Sequence, residues 1–157
     1  MGSNEYLHAV VRPMLDRFLC DPTARDLALA TCILTFHYCE YVGTETGLPK
    51  SDVEDYFRKL GPEFDAVHGI ATAAKHTVVS NERLKFVGLS EGDISEGLAA
   101  AFSDGTYFSD GTTFSDSKPS TTVETQDGIL FDVAHTAETL FARMVEFEAA
   151  GKQNLNN

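Results

Sequence analysis

The stretch from residue 22 to 43 most constrains how this chain can fold. It holds Leu27, Leu29, Ala30, Cys32, Ile33, Leu34, Phe36, Cys39, Tyr41 and Val42. At helical spacing these side chains fall on nearly every side of the axis. A surface helix needs only one apolar stripe, so a helix apolar nearly all round must be surrounded by other elements. The segment therefore predicts the central member of a bundle. Asp21-Pro22 reads as its start, with Asp21 as the cap and Pro22 in the first position, where a missing N–H costs nothing. Gly43 and Gly47 mark its end.

The rest of the chain supplies the cover. A first helix over 4–20 carries Leu7, Val11, Met14 and Phe18 on one face, and Pro13 removes the hydrogen bond to Ala9, predicting a kink or a fresh start. A third helix over 51–60 opens on a capping box, Ser51 with Glu54, and shows Val53, Tyr56, Phe57 and Leu60. Gly61-Pro62 separates it from a fourth helix over 62–79, whose buried face is Phe64, Val67, Ile70, Ala71, Ala74 and Val78. The small Ala71, Ala73 and Ala74 admit a close neighbour. Residues 81–101 read as loop with one short helical turn. Thr121–Thr125 and Ile129–Val133 flank Asp127-Gly128, a tight-turn signal, and predict a hairpin. A last helix over 134–149 presents Ala137, Leu140, Phe141, Met144 and Phe147. The polar tail from Lys152 to Asn157 reads as frayed. The whole is one domain over 1–157: a helical bundle to residue 80, then loop, repeat and hairpin over 81–133, then a C-terminal helix over 134–150. The fold class is α+β, mostly α: a four- or five-helix bundle with a small β-hairpin and a repeat-bearing flap.

The flap is the one internal repeat. Phe102-Ser103-Asp104-Gly105-Thr106-Tyr107 is followed by Phe108-Ser109-Asp110-Gly111-Thr112-Thr113, and Phe114-Ser115-Asp116 begins a third unit. Each unit joins an aromatic anchor to a Ser-Asp-Gly turn. Equally spaced aspartates suggest calcium, but they offer too few oxygen ligands per turn. The favoured reading has Phe102, Tyr107, Phe108 and Phe114 pinning the flap to an apolar surface or presenting a partner-binding patch.

Charge narrows the function. With 24 acidic and 12 basic residues, the net charge is -12. Such a surface repels phosphate backbones, and no Lys/Arg run offsets it, so nucleic acid is disfavoured. A basic protein partner, self-association as a homodimer, or plain solubility fits instead. Three cysteines, Cys20, Cys32 and Cys39, do not form a disulfide framework. Cys32 and Cys39 lie two helical turns apart in the apolar segment and read as buried free thiols of a reducing cytoplasm. Met1–Glu5 shows no signal-peptide pattern, and no apolar run reaches membrane-spanning length. No Gly-x-Ser-x-Gly elbow, phosphate-cradling loop or dinucleotide fingerprint occurs, so no cofactor is implied.

One polar constellation remains. His37 is placed on the inward side of the central helix, and Glu40, three residues on, shares that side. The fourth helix carries His68, Lys75 and His76. Antiparallel packing of the two helices would bring several of these together. The favoured reading is structural, a cluster that fixes helix register, with Lys75 neutralising Glu40. The catalytic reading takes His37, Glu40, Lys75 and His76 as a hydrolytic site: Glu40 or His37 is the base, and Lys75 stabilises developing negative charge. The metal reading lacks the repeated Glu-x-x-His of carboxylate bundles.

The segments Leu15–Thr23, Phe36-His37-Tyr38 and Ile70–His76 resemble a set of bacterial and phage helical-bundle proteins that have no assigned activity. In that set a helical half closes on a Lys-His pair and is followed by an aromatic, glycine-rich repeat, a hairpin and a terminal helix. The helical half also resembles the HEPN bundles, some of which cut RNA with an Arg followed four to six residues later by a His. Here Arg58 precedes His68 by ten positions, and no Arg meets that spacing. The resemblance therefore implies the bundle and argues against the nuclease.

Overall fold

The computed structural model describes residues 1–74, 94–98, 119–124 and 130–152, with 94–98 given by the backbone. Within these, helices surround one long central helix and a small sheet packs at the side. The predicted class, α+β with helix dominant, is the observed one.

Helix α1 (Ser3–Tyr6), a π-helical turn (Leu7–Val11) and helix α2 (Arg12–Cys20) follow one another without leaving helical backbone. The predicted break at Pro13 is met by this widened turn. Proline lacks the N–H and its ring crowds the carbonyl four residues back, and a π turn opens the backbone at that point. The extra residue advances the buried face by one. Leu7, Val11, Leu15 and Phe18 are sealed, whereas the expected Met14 is only half-buried.

Helix α3 (Arg25–Thr46) is the centre. It starts three residues later than the Asp21-Pro22 signal implied. Asp21 caps a turn instead: its carbonyl accepts from the Ala24 amide (3.1 Å) and its carboxylate from the Thr23 hydroxyl (2.8 Å). The Pro22 carbonyl accepts from the Thr121 amide at 2.6 Å and so anchors the sheet. Ala28, Cys32, Tyr38, Cys39 and Val42 are fully buried, Phe36 nearly so, and Ile33 packs against them. The helix stops at Gly47, whose φ of 73° is the left-handed conformation that glycine adopts freely. Gly43 does not end the helix. It is buried within it, where the chain returning toward α4 passes against its Cα.

Helix α4 (Lys50–Leu60) begins one residue ahead of the prediction, after Pro49. That shift moves Ser51 inside the first turn, so the Ser51–Glu54 capping box does not form, and the Ser51 hydroxyl turns to Asp52 (3.3 Å). Val53 and Phe57 are buried, while Leu60, expected on the same stripe, is 41% exposed. Helix α5 (Glu63–Ala73) packs along α3 through Phe64, Val67, Ile70 and Ala71.

The predicted hairpin is present as β2 (Pro119–Glu124) and β3 (Leu130–Asp132), antiparallel with Glu124 opposite Leu130. The loop reading of 81–101 is corrected at Ile94–Leu98, which is a strand, β1, paired antiparallel to β2 with Ile94 opposite Val123. Gly97 and the charge of Glu96 hide this strand in the sequence, but a buried β2 needs partners for its backbone on both edges. Asp132 caps helix α6 (Val133–Ala149) by accepting from the His135 amide at 3.0 Å. The predicted face of α6, Ala137, Leu140, Phe141, Met144 and Phe147, is buried throughout. Lys152, expected in a frayed tail, is instead tied down by ion pairs. The hexad repeat, with Phe102, Tyr107, Phe108 and Phe114, lies outside the described residues, as do Lys75 and His76. Among the described residues no helix is long and apolar enough to cross a membrane.

The glycine at 43 yields a prediction with an unusual sign. In a helix interior Gly→Ala ordinarily stabilises by about 1 kcal/mol. Here a Cβ would stand 2.9 Å from the Leu48 carbonyl oxygen, which is backbone and cannot swing away. We expect Gly43→Ala to destabilise by about 1–3 kcal/mol, the cost of overpacking. Urea unfolding measures it, and an unchanged or raised midpoint would refute the tight crossing.

Candidate functional site

Two polar clusters stand at the end of the bundle where α3 finishes. The first contains half of the predicted catalytic set. His37 Nδ1 lies 3.1 Å from Glu40 Oε2, one turn apart on α3. Among the described residues the cation on Glu40 is Lys50, whose Nζ lies 2.7 Å from Glu40 Oε1 and 3.7 Å from Glu54 Oε1. Lys50 arrives there because Gly43 lets residues 48–50 lie flat on α3, its Cα 3.7 Å from where a Gly43 Cβ would be. The Lys50 ammonium also sits 4.2 Å from the centre of the Phe36 ring, and the His68 ring stacks on the same phenylalanine at 4.1 Å.

The inward placement of His37 and Glu40 is corrected. Their side chains are 33% and 48% exposed, so the pair occupies the rim of α3. The face they would have needed is taken by Phe36, Tyr38 and Cys39, which exclude water completely or nearly so. The Lys50 ammonium, foremost among several causes, holds the Glu40 carboxyl below its ordinary range. A carboxylate so stabilised is a weaker base. Lys75 and His76, the other half of the predicted set, lie outside the described residues. Among the described residues no three His, Cys, Asp or Glu side chains are placed to hold a metal ion.

Glu40 and Thr44 form a ridge between two clefts. One, of about 500 Å³, is lined by Glu40, Gly43, Thr44, Gly47, Leu48, Pro49 and Lys50. The other, of about 490 Å³, is lined by Met1, Gly2, Glu40, Tyr41, Thr44 and Glu45. Its aromatic wall is braced from behind. Tyr41 stacks on Tyr6 with ring centres 4.0 Å apart, and the Tyr6 hydroxyl donates to the Leu34 carbonyl at 2.9 Å.

The second cluster was not foreseen. Ser3 of α1, Tyr38 and Glu45 of α3, Glu148 of α6 and Lys152 meet around the Ser3 hydroxyl, which is fully buried. Lys152 Nζ donates to Ser3 Oγ (2.6 Å) and lies 2.8 Å from Glu45 Oε2 and 3.2 Å from Glu148 Oε2. The Tyr38 hydroxyl donates to Glu148 Oε1 at 2.7 Å, and the Ser3 amide donates to Glu45 Oε2 at 3.0 Å. Ser3 Oγ is 2.6 Å from Glu45 Oε2 and 2.5 Å from Glu148 Oε1, but a hydroxyl has one hydrogen and serves one carboxylate at a time. The Glu148–Lys152 spacing of four was the one local signal for this group. Its other contacts join residues more than a hundred positions apart, or 42 for Ser3 and Glu45.

The arrangement is a latch rather than a nucleophile. Burial works against the charge of Lys152, but the hydrogen bonds to Glu45 and Glu148 outweigh it and raise its pKa, so it stays an ammonium and cannot take the Ser3 proton. The thiols are equally unreactive: burial pushes Cys32 up to about 12 and drives Cys39 up as well, far from a thiolate at neutral pH. Cys32 and Cys39 are the buried free thiols predicted, and Cys20 is free and exposed.

No protein-family model, curated protein or solved structure matches the chain.

The latch should be acid-sensitive. Lys152 and then Ser3 pull the Glu45 carboxyl down from 4.5 to about 2. A carboxyl whose pKa is lower in the folded state contributes stability above its unfolded value and loses it as pH falls toward the folded value. The melting temperature of the wild type should therefore fall more steeply between pH 4.5 and about 2 than that of Glu45→Gln. Parallel curves would show that Glu45 gains nothing from its partners.

Proposed function

We propose that this chain is a non-enzymatic interaction protein that binds a protein partner. The observation that carries the reading is the state of Glu40. Its two oxygens are taken by His37 and Lys50, so the described half of the acid–base set that sequence marks is engaged in ion pairs, and Lys50 ties α4 to α3 through Glu40. Beside them two open clefts meet at Glu40 and Thr44, a shape suited to docking. The charge of -12 favours a protein partner over a phosphate backbone. The buried free thiols Cys32 and Cys39 fit work in a reducing cytoplasm. The aromatic repeat, Phe102, Tyr107, Phe108 and Phe114, remains part of the proposed partner surface by its sequence pattern.

A small hydrolase is the second reading, and one observation favours it: His37 and Glu40 are within hydrogen-bond reach and accessible to solvent. Purified wild type and the His37→Ala/Glu40→Gln double variant separate the two readings when assayed against RNA, phosphomonoesters, carboxylic esters and peptides. We expect neither protein to turn over any of them above background. Turnover by the wild type that falls by about a hundredfold or more in the double variant, the loss typical of a missing acid–base group, would replace the interaction reading with the enzymatic one.

A further inference from the structure

We infer that the middle of α3 binds an internal water molecule through the hydroxyls of Thr31 and Thr35, on the face turned toward α6. This stands independently of the interaction reading. Both threonines are sealed, at 0% and 1% exposure. Among the described residues neither hydroxyl oxygen has a hydrogen-bond partner. Desolvating a hydroxyl without a partner is costly, so buried ones are nearly always bonded to protein or to ordered water.

The helix itself offers an alternative that these two do not take. A threonine inside a helix can donate to the carbonyl four residues back. Thr44 and Thr46 of α3 do so at 2.8 and 2.7 Å, as do Thr72 of α5 at 2.8 Å and Thr136 of α6 at 2.7 Å. Thr31 and Thr35 make no such bond to the carbonyls of Leu27 and Thr31, so their hydroxyls are aimed elsewhere.

Their spacing fits one bridging molecule. Residues four apart share a helix face, with Cβ atoms about 5–6 Å apart. A water lying about 2.8 Å from each of two oxygens spans about 5.5 Å. Each hydroxyl offers one hydrogen and two lone pairs, so the pair supplies a water with both donors and acceptors. The same helical spacing continues to Tyr38, Val42 and Glu45. Tyr38 donates to Glu148 of α6, and Glu45 pairs with Lys152 just beyond it, so this stripe faces α6. From Ala28 to Val42 the stripe carries no charged side chain, which favours a neutral molecule over an ion.

Magnetic relaxation dispersion of the solvent counts the water molecules that stay inside the protein long enough to tumble with it. Valine resembles threonine in shape and helix propensity but puts a methyl where the hydroxyl was. We expect Thr31→Val/Thr35→Val to lose about one internal water relative to the wild type. Its Tm should fall, because the change removes hydrogen bonds that are made. Thr31→Ser/Thr35→Ser keeps both hydroxyls and should keep the water. The single valine variants carry the same comparison if the double variant does not fold. Equal dispersion in the wild type and the valine variants would overturn the site, and a raised Tm alongside it would mark hydroxyls buried without partners. Loss of the water in the serine variant as well would also overturn it, since the hydroxyls would then not be what holds it.

Discussion

The enclosure of α3 is the constraint on which the rest of the molecule depends. A helix with Ala28, Cys32, Tyr38, Cys39 and Val42 all removed from water cannot be satisfied by one neighbour, and α1, α2, α4, α5 and α6 each contact it. Burying a large apolar side chain contributes about 1.5–3 kcal/mol, and the side chains that cover α3, such as Phe18, Phe57, Ile70 and Leu140, are themselves fully buried. Beyond its first residues, the exposed strip of α3, Glu40, Thr44 and Glu45, lies near its C-terminal end. The site is in this sense a remainder of the packing problem, a part of α3 that its neighbours leave exposed.

The local chemistry follows from a backbone detail. Gly43 has no side chain, so the chain leaving α3 at Gly47 can fold back against it. That return sets Lys50 next to Glu40 and above Phe36, where it also balances Glu54, whose pKa burial raises. Phe36 in turn carries His68 stacked on its ring, which joins α5 to the same group. One missing Cβ thus lets a cation sit on the ridge between the clefts.

Much of this architecture can be read in the residues themselves. The period of the apolar positions locates α3, α5 and α6 and names most of their buried faces, because burial and helical geometry act over short distances. The hairpin announces itself through Asp127-Gly128 and the threonine-rich run before it. What escapes the sequence is set by contacts between distant residues or by small departures from ideal geometry. The π turn before Pro13 exchanges Met14 for Leu15 in the core, and a one-residue shift at Pro49 undoes the Ser51 capping box. The i,i+3 pair His37–Glu40 is legible, yet its position on the rim depends on where the neighbouring helices lie. Lys50 as the counter-ion of Glu40, β1 as a third strand and the grouping around Ser3 are all products of tertiary proximity.

The cluster around Ser3 also has a kinetic meaning. It joins residue 3 to residue 152, and among the described residues such a contact closes the longest loop and bears the largest loop-closure entropy. It gains its value only once α3 and α6 are already side by side. The last turn of α6 should accordingly be among the first pieces to detach in native fluctuations and among the last to dock during folding, leaving the sealed middle of α3 as the slow-exchanging heart of the protein.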